Sequence, residues 1–568
     1  MISKNALLRG VALGAMFAVA ATASAHAKPV HKKKVAAATY GSAPSEMSEL
    51  RAEVQQLKAT VEAQAQSQAA LQAQIAQQQA QVAQVAADSE SVQAQLDAVP
   101  QQILTTVGEL PKPKNDKIYY KGVSVTLGGF AEAAGIFRSH DETADISSSF
   151  SKIPFANDRA GHTSEFRGTA RQSRYSALVE GQIDEDTKAA FYGEFDFQGG
   201  AQTANSNQSN SYNPRIRNLY LQLDHGPFGI LAGQNWSLVT MNQKGITPRN
   251  ELTPPQIDAQ YIPGFAWARQ PQFRVSYTPD KKLWFAASVE SPQTTFGSVA
   301  TASGVTLTNI QAPTNGFFNG TNYSLNKYPD FVGKVAYEAV LPGERALHLE
   351  LFGLARSFYD RATVAPTAGT QAAALGLAAG TGDNTTWGGG VGGGVTIQAL
   401  PKVLDLQASF LTGKGIARYG SGGLSDVTAQ ANGKLEPIEE TMFLVGGTWH
   451  VTPMLDIYGF GGEEQANQKV FHYAALPATV AFGYGTLPGS NNAGCAVEGG
   501  SCSAVTKYIS QFTTGFWHKV YQGSFGRVQW GIQYSYTERK AFADAQATPY
   551  APKGTENMVF TSFRYYPF

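Results

Sequence analysis

Charge is scarce in this chain. Only 15% of its 568 residues are Asp, Glu, Lys or Arg, against about a quarter in ordinary soluble proteins. What charge there is balances, with 44 basic and 44 acidic residues, so nothing points to a nucleic-acid partner. Cysteine is nearly absent. Cys495 and Cys502 enclose Ala496–Ser501 and have no histidine neighbours, which argues against a zinc site. In an exported chain the default for such a pair is a small disulfide loop. Long hydrophobic runs are lacking as well. Mean hydropathy is −0.22, and the apolar stretch Val11–Ala23 falls short of the ~20 residues that a membrane-spanning helix needs. A multi-helix membrane protein is therefore excluded.

What is plentiful is glycine and aromatic side chains: 58 Gly, 31 Phe, 24 Tyr and 7 Trp. The stretch Ala189–Phe197, AAFYGEFDF, shows how they are used. Ala189, Phe191, Gly193, Phe195 and Phe197 share one parity, and Tyr192, Glu194 and Asp196 the other. A strand points successive side chains to opposite faces, so one face is apolar and the other carries two carboxylates. The same alternation marks sixteen candidate strands, at 123–133, 166–183, 189–198, 215–223, 229–238, 270–278, 282–290, 330–340, 346–357, 386–398, 402–411, 439–451, 454–464, 508–521, 526–540 and 556–568. The connections alternate strictly between long gaps and short ones rich in Asp, Gly and Pro. In an up-and-down barrel every second connection lies on the same rim, and membrane barrels combine short turns on one rim, long loops on the other and an even strand number. A bilayer also forbids open sheet edges. The reading is an all-β, 16-stranded antiparallel transmembrane barrel over 118–568, embedded in outer-membrane lipid.

Residues 1–27 read as a secretory signal, with Lys4 and Arg9, the apolar core and an Ala25-His26-Ala27 site cleaved after Ala27. A basic linker, 28–45, follows. From Met47 a heptad register begins. Twelve of the sixteen a and d positions are Met, Leu, Val or Ile, the exceptions being Gln64, Gln68, Gln78 and Ser89. The spacing predicts a self-associating α-helical coiled coil over 46–99, ended by Pro100 and a linker, 100–117.

Phasing each strand by its apolar set assigns the inner face. Gln172, Arg174, Gln272, Arg274, Lys334 and Arg356 join Glu194 and Asp196 inside. Between Arg159 and Arg274 there are nine Arg and two Lys. Arginine's planar fork holds carboxylates bidentately, so arginines inside a pore favour anions. Arg167, Arg171 and Arg217 fall on the apolar parity and must lie at the rim or beside a bulge. The third long gap, 239–269, carries four prolines and Arg249, and either folds inward or stays exposed. The glycine clusters at Gly388–Gly394 and Gly413–Gly415 lack phosphate-loop spacing. His348 and Glu350 have no nucleophile placed with them. No enzyme activity, metal or cofactor is expected.

The runs TARQSR at Thr169–Arg174, RIRNLY at Arg215–Tyr220, GQNWS at Gly233–Ser237 and RQPQFR at Arg269–Arg274, in the order signal, coiled coil, barrel, resemble the DcaP-type trimeric outer-membrane porins. That resemblance implies a homotrimer with its coiled coil in the periplasm and passive diffusion of small anions such as dicarboxylates. The alternative is an envelope tether, its coiled coil reaching peptidoglycan and its barrel serving only as an anchor.

Overall fold

The computed structural model describes residues 45–109, 117–199, 213–308, 312–313 and 322–568. The signal segment with Ala27, and all of the 28–45 linker but its last residue, lie outside the described residues. The chain divides into two units, Met1–Lys112 and Pro113–Phe568.

In the first unit a single helix, α1, runs Ser45–Glu109. It continues past Pro100, where the heptad reading placed its end. An interior proline removes one backbone hydrogen bond and kinks the helix, and the good helix formers on either side carry α1 onward. Every large apolar side chain described on α1 is exposed: Val54, Leu57, Val61, Ile75, Val82 and Val85. All six occupy a or d positions.

The second unit is a closed barrel of sixteen strands. They are β1 Val123–Arg138, β2 in two segments (Glu165–Thr169 and Arg174–Gln182), β3 Thr187–Asp196, β4 Arg215–His225, β5 Phe228–Trp236, β6 Arg269–Tyr277, β7 Leu283–Glu290 and β8 Asp330–Leu341. Then come β9 Arg345–Val364, β10 Gly380–Leu400, β11 Leu404–Lys414, β12 Glu439–Thr452, β13 Leu455–Ala466, β14 Thr506–Gly523, β15 Gly526–Ala541 and β16 Lys553–Tyr566. Each pairs antiparallel with its sequence neighbours, and β1 closes the sheet on β16, with Ala131–Arg138 opposite Tyr565–Met558. Closure leaves no edge strand unpaired in the bilayer.

The two-residue alternation sets the wall. On β6, Phe273, Val275 and Tyr277 are 49%, 44% and 39% exposed, while Gln272 and Arg274 on the opposite parity are buried. On β9, Leu349 and Leu351 face out while His348 and Glu350 are buried. Two bulges explain the arginines on the wrong parity. Between the β2 segments, Thr169 pairs with Ala134 and Arg174 with Phe130. The extra residue there reverses the inward parity. Arg171, in that bulge, donates to the Phe197 and Gly199 carbonyls at 3.2 and 2.8 Å, and Arg167 is exposed near Glu165. On β4, Glu194 pairs with Asn218 but Phe195 with Ile216. Arg217 is thus the bulged residue, and its side chain is buried.

Candidate functional site: a cationic cavity beside an inward loop

The segment between β5 and β6, Ser237–Ala268, folds into the barrel. Its base closes through the Ser237 N–H to the Ala268 carbonyl, 2.8 Å. Its first half is a hairpin, with Gln243 N–H to Asn250 O at 2.8 Å and Leu252 N–H to Met241 O at 2.7 Å. Apolar residues explain the direction it takes. Leu238, Val239 and Ile246 pack with Val332, Phe352 and Leu411. Ile257, Ile262 and Phe265 pack with Tyr458, Phe460 and Trp517.

Burying this backbone leaves N–H and carbonyl groups that need partners, and the wall supplies them. Lys334 donates to the Thr240 carbonyl and to Glu350, both at 2.7 Å. Glu350 also accepts from the Asn242 N–H at 3.0 Å. Glu338 accepts from the Gly245 N–H, and His348 bridges Glu338 and Glu350 at 2.7 and 2.9 Å. On the far side, Glu464 takes the Gly264 N–H at 2.8 Å, Gln533 the Ile257 N–H at 2.6 Å, and Trp517 donates to Pro255 O at 2.8 Å. The loop therefore reaches from β5 and β6 to the opposite wall at β13–β15.

Beside it lies a cavity of ≈ 490 Å³. Six cationic side chains line it, Arg174, Arg217, Arg249, Lys519, Arg527 and Arg564, against three carboxylates, Glu194, Glu251 and Asp456. Trp236, Tyr261, Trp517 and Tyr566 stand between them. Glu194 sits among Arg217 at 3.3 Å, Arg174 at 3.7 Å and the Asn218 amide at 2.6 Å. Arg249 donates to the Tyr220 hydroxyl at 2.7 Å and lies over the Tyr192 ring. Arg564 pairs with Glu132 at 2.9 Å and donates to Gln172 at 3.1 Å. Arg174 Nε and Arg217 Nη2 are buried and have no hydrogen-bond partner among the described residues.

The sequence-derived candidates divide accordingly. Gln172, Arg174, Glu194 and Arg249 line this cavity. Arg274 borders a separate one of ≈ 260 Å³, with Asp224 and Lys281. The other four are buried and engaged. Asp196 holds Arg215 at 2.7 Å and Arg217 at 3.0 Å. Gln272 accepts from Arg274 Nε at 3.1 Å and donates to the Asn235 and Trp236 carbonyls. Lys334 anchors the loop, and Arg356 joins Asp330 at 3.1 Å to Asp426 at 2.7 Å. Arg217, Arg527, Arg564 and Lys519 were not among the candidates. Arg564 lies on the inward parity of β16, between exposed Phe563 and Tyr565, and alternation alone was the signal that could have found it. Cys495 and Cys502 are bonded, with S–S 2.04 Å. No group of three or more His, Cys, Asp or Glu side chains is placed to hold a metal ion among the described residues.

A closed, even-stranded antiparallel barrel, apolar outside and charged within, is a barrel of the outer-membrane kind. Among solved structures it is similar to the outer membrane channel DcaP of Acinetobacter baumannii, at 17% identity and TM-score 0.53, covering 79% of this chain and 99% of that one. It also matches an anion-selective porin from Comamonas acidovorans, at 13% identity and TM-score 0.41, covering 78% and 99%. No protein-family model matches the sequence, and no curated protein is significantly similar to it.

Proposed function

We propose that this chain is a passive outer-membrane channel that favours small anionic solutes, of which dicarboxylates are the fitting class. The observation that carries the reading is the excess of cations over carboxylates around this cavity, together with buried Arg174 and Arg217 donors that have no hydrogen-bond partner among the described residues. Guanidinium groups spaced around a polar opening offer forked donors to two carboxylates at once. Full-length protein reconstituted in planar bilayers under a salt gradient tests it. A reversal potential of the sign set by anions supports the reading. A barrel that never conducts overturns it.

The exposed a and d positions of α1 support a homotrimer whose coiled coil stands in the periplasm once the 1–27 signal is removed after Ala27. Isolated, those six apolar side chains face water, and a knobs-into-holes partner covers them. A second reading, the envelope tether, is favoured by the length of α1. Its 65 residues extend about 98 Å, a reach suited to peptidoglycan. Channel and tether coexist unless the barrel is closed to ions, which the same bilayer recording decides.

A further inference from the structure

The outer surface of the wall carries a depression. Val275 pairs with Ala287, Ala287 with Gly333, Gly333 with Gly353 and Gly353 with Val391, so these residues stand in one line across β6–β10. All face outward, and the three in the middle have little or no side chain. A Cβ built on Gly333 or Gly353 would meet nothing within 4 Å. On the long-loop side of this line stand Val289 and Phe331, and on the short-turn side Val335 and Leu351, all exposed. Small residues between two bulky lines leave an apolar trough of ≈ 620 Å³. The trough climbs the wall: Val275 stands two residues above Tyr277, the short-turn end of β6, whereas Val391 stands nine above Leu400, the short-turn end of β10.

Above Val391, β10 presents Trp387, which is exposed and stacks on Tyr328 with ring centroids 5.5 Å apart. Beside this pair the Lys327 ammonium lies 5.8 Å from the centre of the Tyr359 ring. Arg361 is held by Asp383 at 2.6 Å, but Lys327 has no carboxylate partner among the described residues. Exposed aromatic rings toward the long-loop rim mark the outer girdle of a membrane barrel, and a long cationic side chain there reaches into the headgroup layer.

We propose that the trough and Lys327 form a binding site for one phosphate-bearing lipid of the outer leaflet, its saturated acyl chain lying along Gly333 and Gly353 and its phosphate held by Lys327. The chemistry at the two ends selects this occupant. A straight chain buries apolar surface where the wall has no side chains of its own, and an anionic head matches an ammonium left unpaired at the girdle. Trp387 and Tyr328 stand between head and tail.

The test uses full-length protein in detergent, titrated with dipalmitoyl phosphatidate and read by native mass spectrometry. The wild type is expected to retain one phosphatidate per barrel. Gly333→Leu with Gly353→Leu fills the trough and should weaken that binding at least tenfold, while a heat-modifiable barrel of unchanged conductance still forms, since neither side chain enters the lumen. Lys327→Gln should weaken phosphatidate about threefold and leave binding of uncharged dipalmitoyl glycerol as it was. A filled barrel that binds phosphatidate like the wild type overturns the proposal, as does a wild type that retains none, or a Lys327→Gln barrel that does not separate the two lipids. A filled barrel that scatters light as a smaller assembly than the wild type makes the trough a contact between copies, and overturns the lipid assignment as well. Where the double variant yields no heat-modifiable barrel, Gly353→Ala takes its place, with a loss of about threefold expected and an unchanged affinity as the refuting result.

Discussion

Two arginines on the same cavity give the sharpest test of which charges face solute and which hold the wall. Arg217 is 2% exposed and sits 3.0 Å from Asp196 and 3.3 Å from Glu194. Replacing it by Gln leaves buried Asp196 and part-buried Glu194 each short of a partner. Removing one member of a buried pair costs about 3–5 kcal/mol. Here the low end applies, because Asp196 keeps Arg215 at 2.7 Å and Glu194 keeps Asn218 at 2.6 Å. Arg174 has a side chain 21% exposed, one carboxylate at 3.7 Å and the Phe130 ring at 5.3 Å. Its loss costs roughly 1 kcal/mol. Both substitutions remove one of six cavity cations, so both should lower the anion-over-cation permeability ratio by roughly tenfold, about threefold from each ion, for one charge acting across about 6 Å of water. Only Arg217→Gln should also lower the temperature at which the barrel unfolds in detergent, read as the shift from the fast to the slow band on a gel. The reasoning fails if Arg174→Gln destabilises as much as Arg217→Gln. It also fails if neither moves the reversal potential, since the cavity then lies off the conduction path.

Lys334→Met removes the donor that ties Glu350 to the Thr240 carbonyl; single-channel conductance should rise as the hairpin loosens, and an unchanged conductance counts against the loop as the restriction. Gly264→Ala places a Cβ 1.9 Å from the Phe443 carbonyl at a residue with φ +95°, so the barrel should unfold at least several degrees lower, whereas an unshifted gel transition refutes that close approach. Deleting 46–99 should reduce the mass measured by light scattering to that of a smaller assembly while a heat-modifiable barrel still forms, because the wall has its own apolar exterior.

The strands were legible because a wall between lipid and a polar interior imposes a strict two-residue period, and each connection announces its rim by its length. Arg174 and Arg274 show where that legibility stops. Alternation places both inside, yet the one lines the cationic cavity and the other is buried against Gln272 and the Trp236 carbonyl. What separates them is the path of Ser237–Ala268, and that path depends on contacts with β8, β9 and β13–β15, 94 residues away along the chain for Lys334 with Thr240 and 276 for Gln533 with Ile257. Bulges are the second limit. Arg217 reads as lipid-facing until the register between β3 and β4 slips by one residue. A slip of one reverses every facing beyond it, and no local propensity announces it. Pro100 is the third, since a proline inside a long helix removes one bond and leaves the rest of the ladder intact.

The inward charges of this barrel serve two masters, and backbone chemistry decides between them. A loop folded into a barrel carries its own N–H and carbonyl groups out of water, and each one left unpaired costs about 1–3 kcal/mol. Carboxylates of the wall meet the N–H groups: Glu290 at Leu238, Glu350 at Asn242, Glu440 at Ile416, and Glu464 at both Gly264 and Gly422. Cations meet the carbonyls: Arg138 at Ala144 and Asp145, Arg274 at Trp236, Lys334 at Thr240, and Arg356 at Gly415. These groups are consumed by the loops and are not free to meet a solute. What remains for ions is the set facing the cationic cavity beside Ser237–Ala268, and there the cations outnumber the carboxylates. An inner face read from alternation alone thus overstates the number of residues that touch a passing solute. Its excess has a structural use, since a barrel interior lined with apolar residues could pack the side chains of Ser237–Ala268 but would leave its backbone without partners.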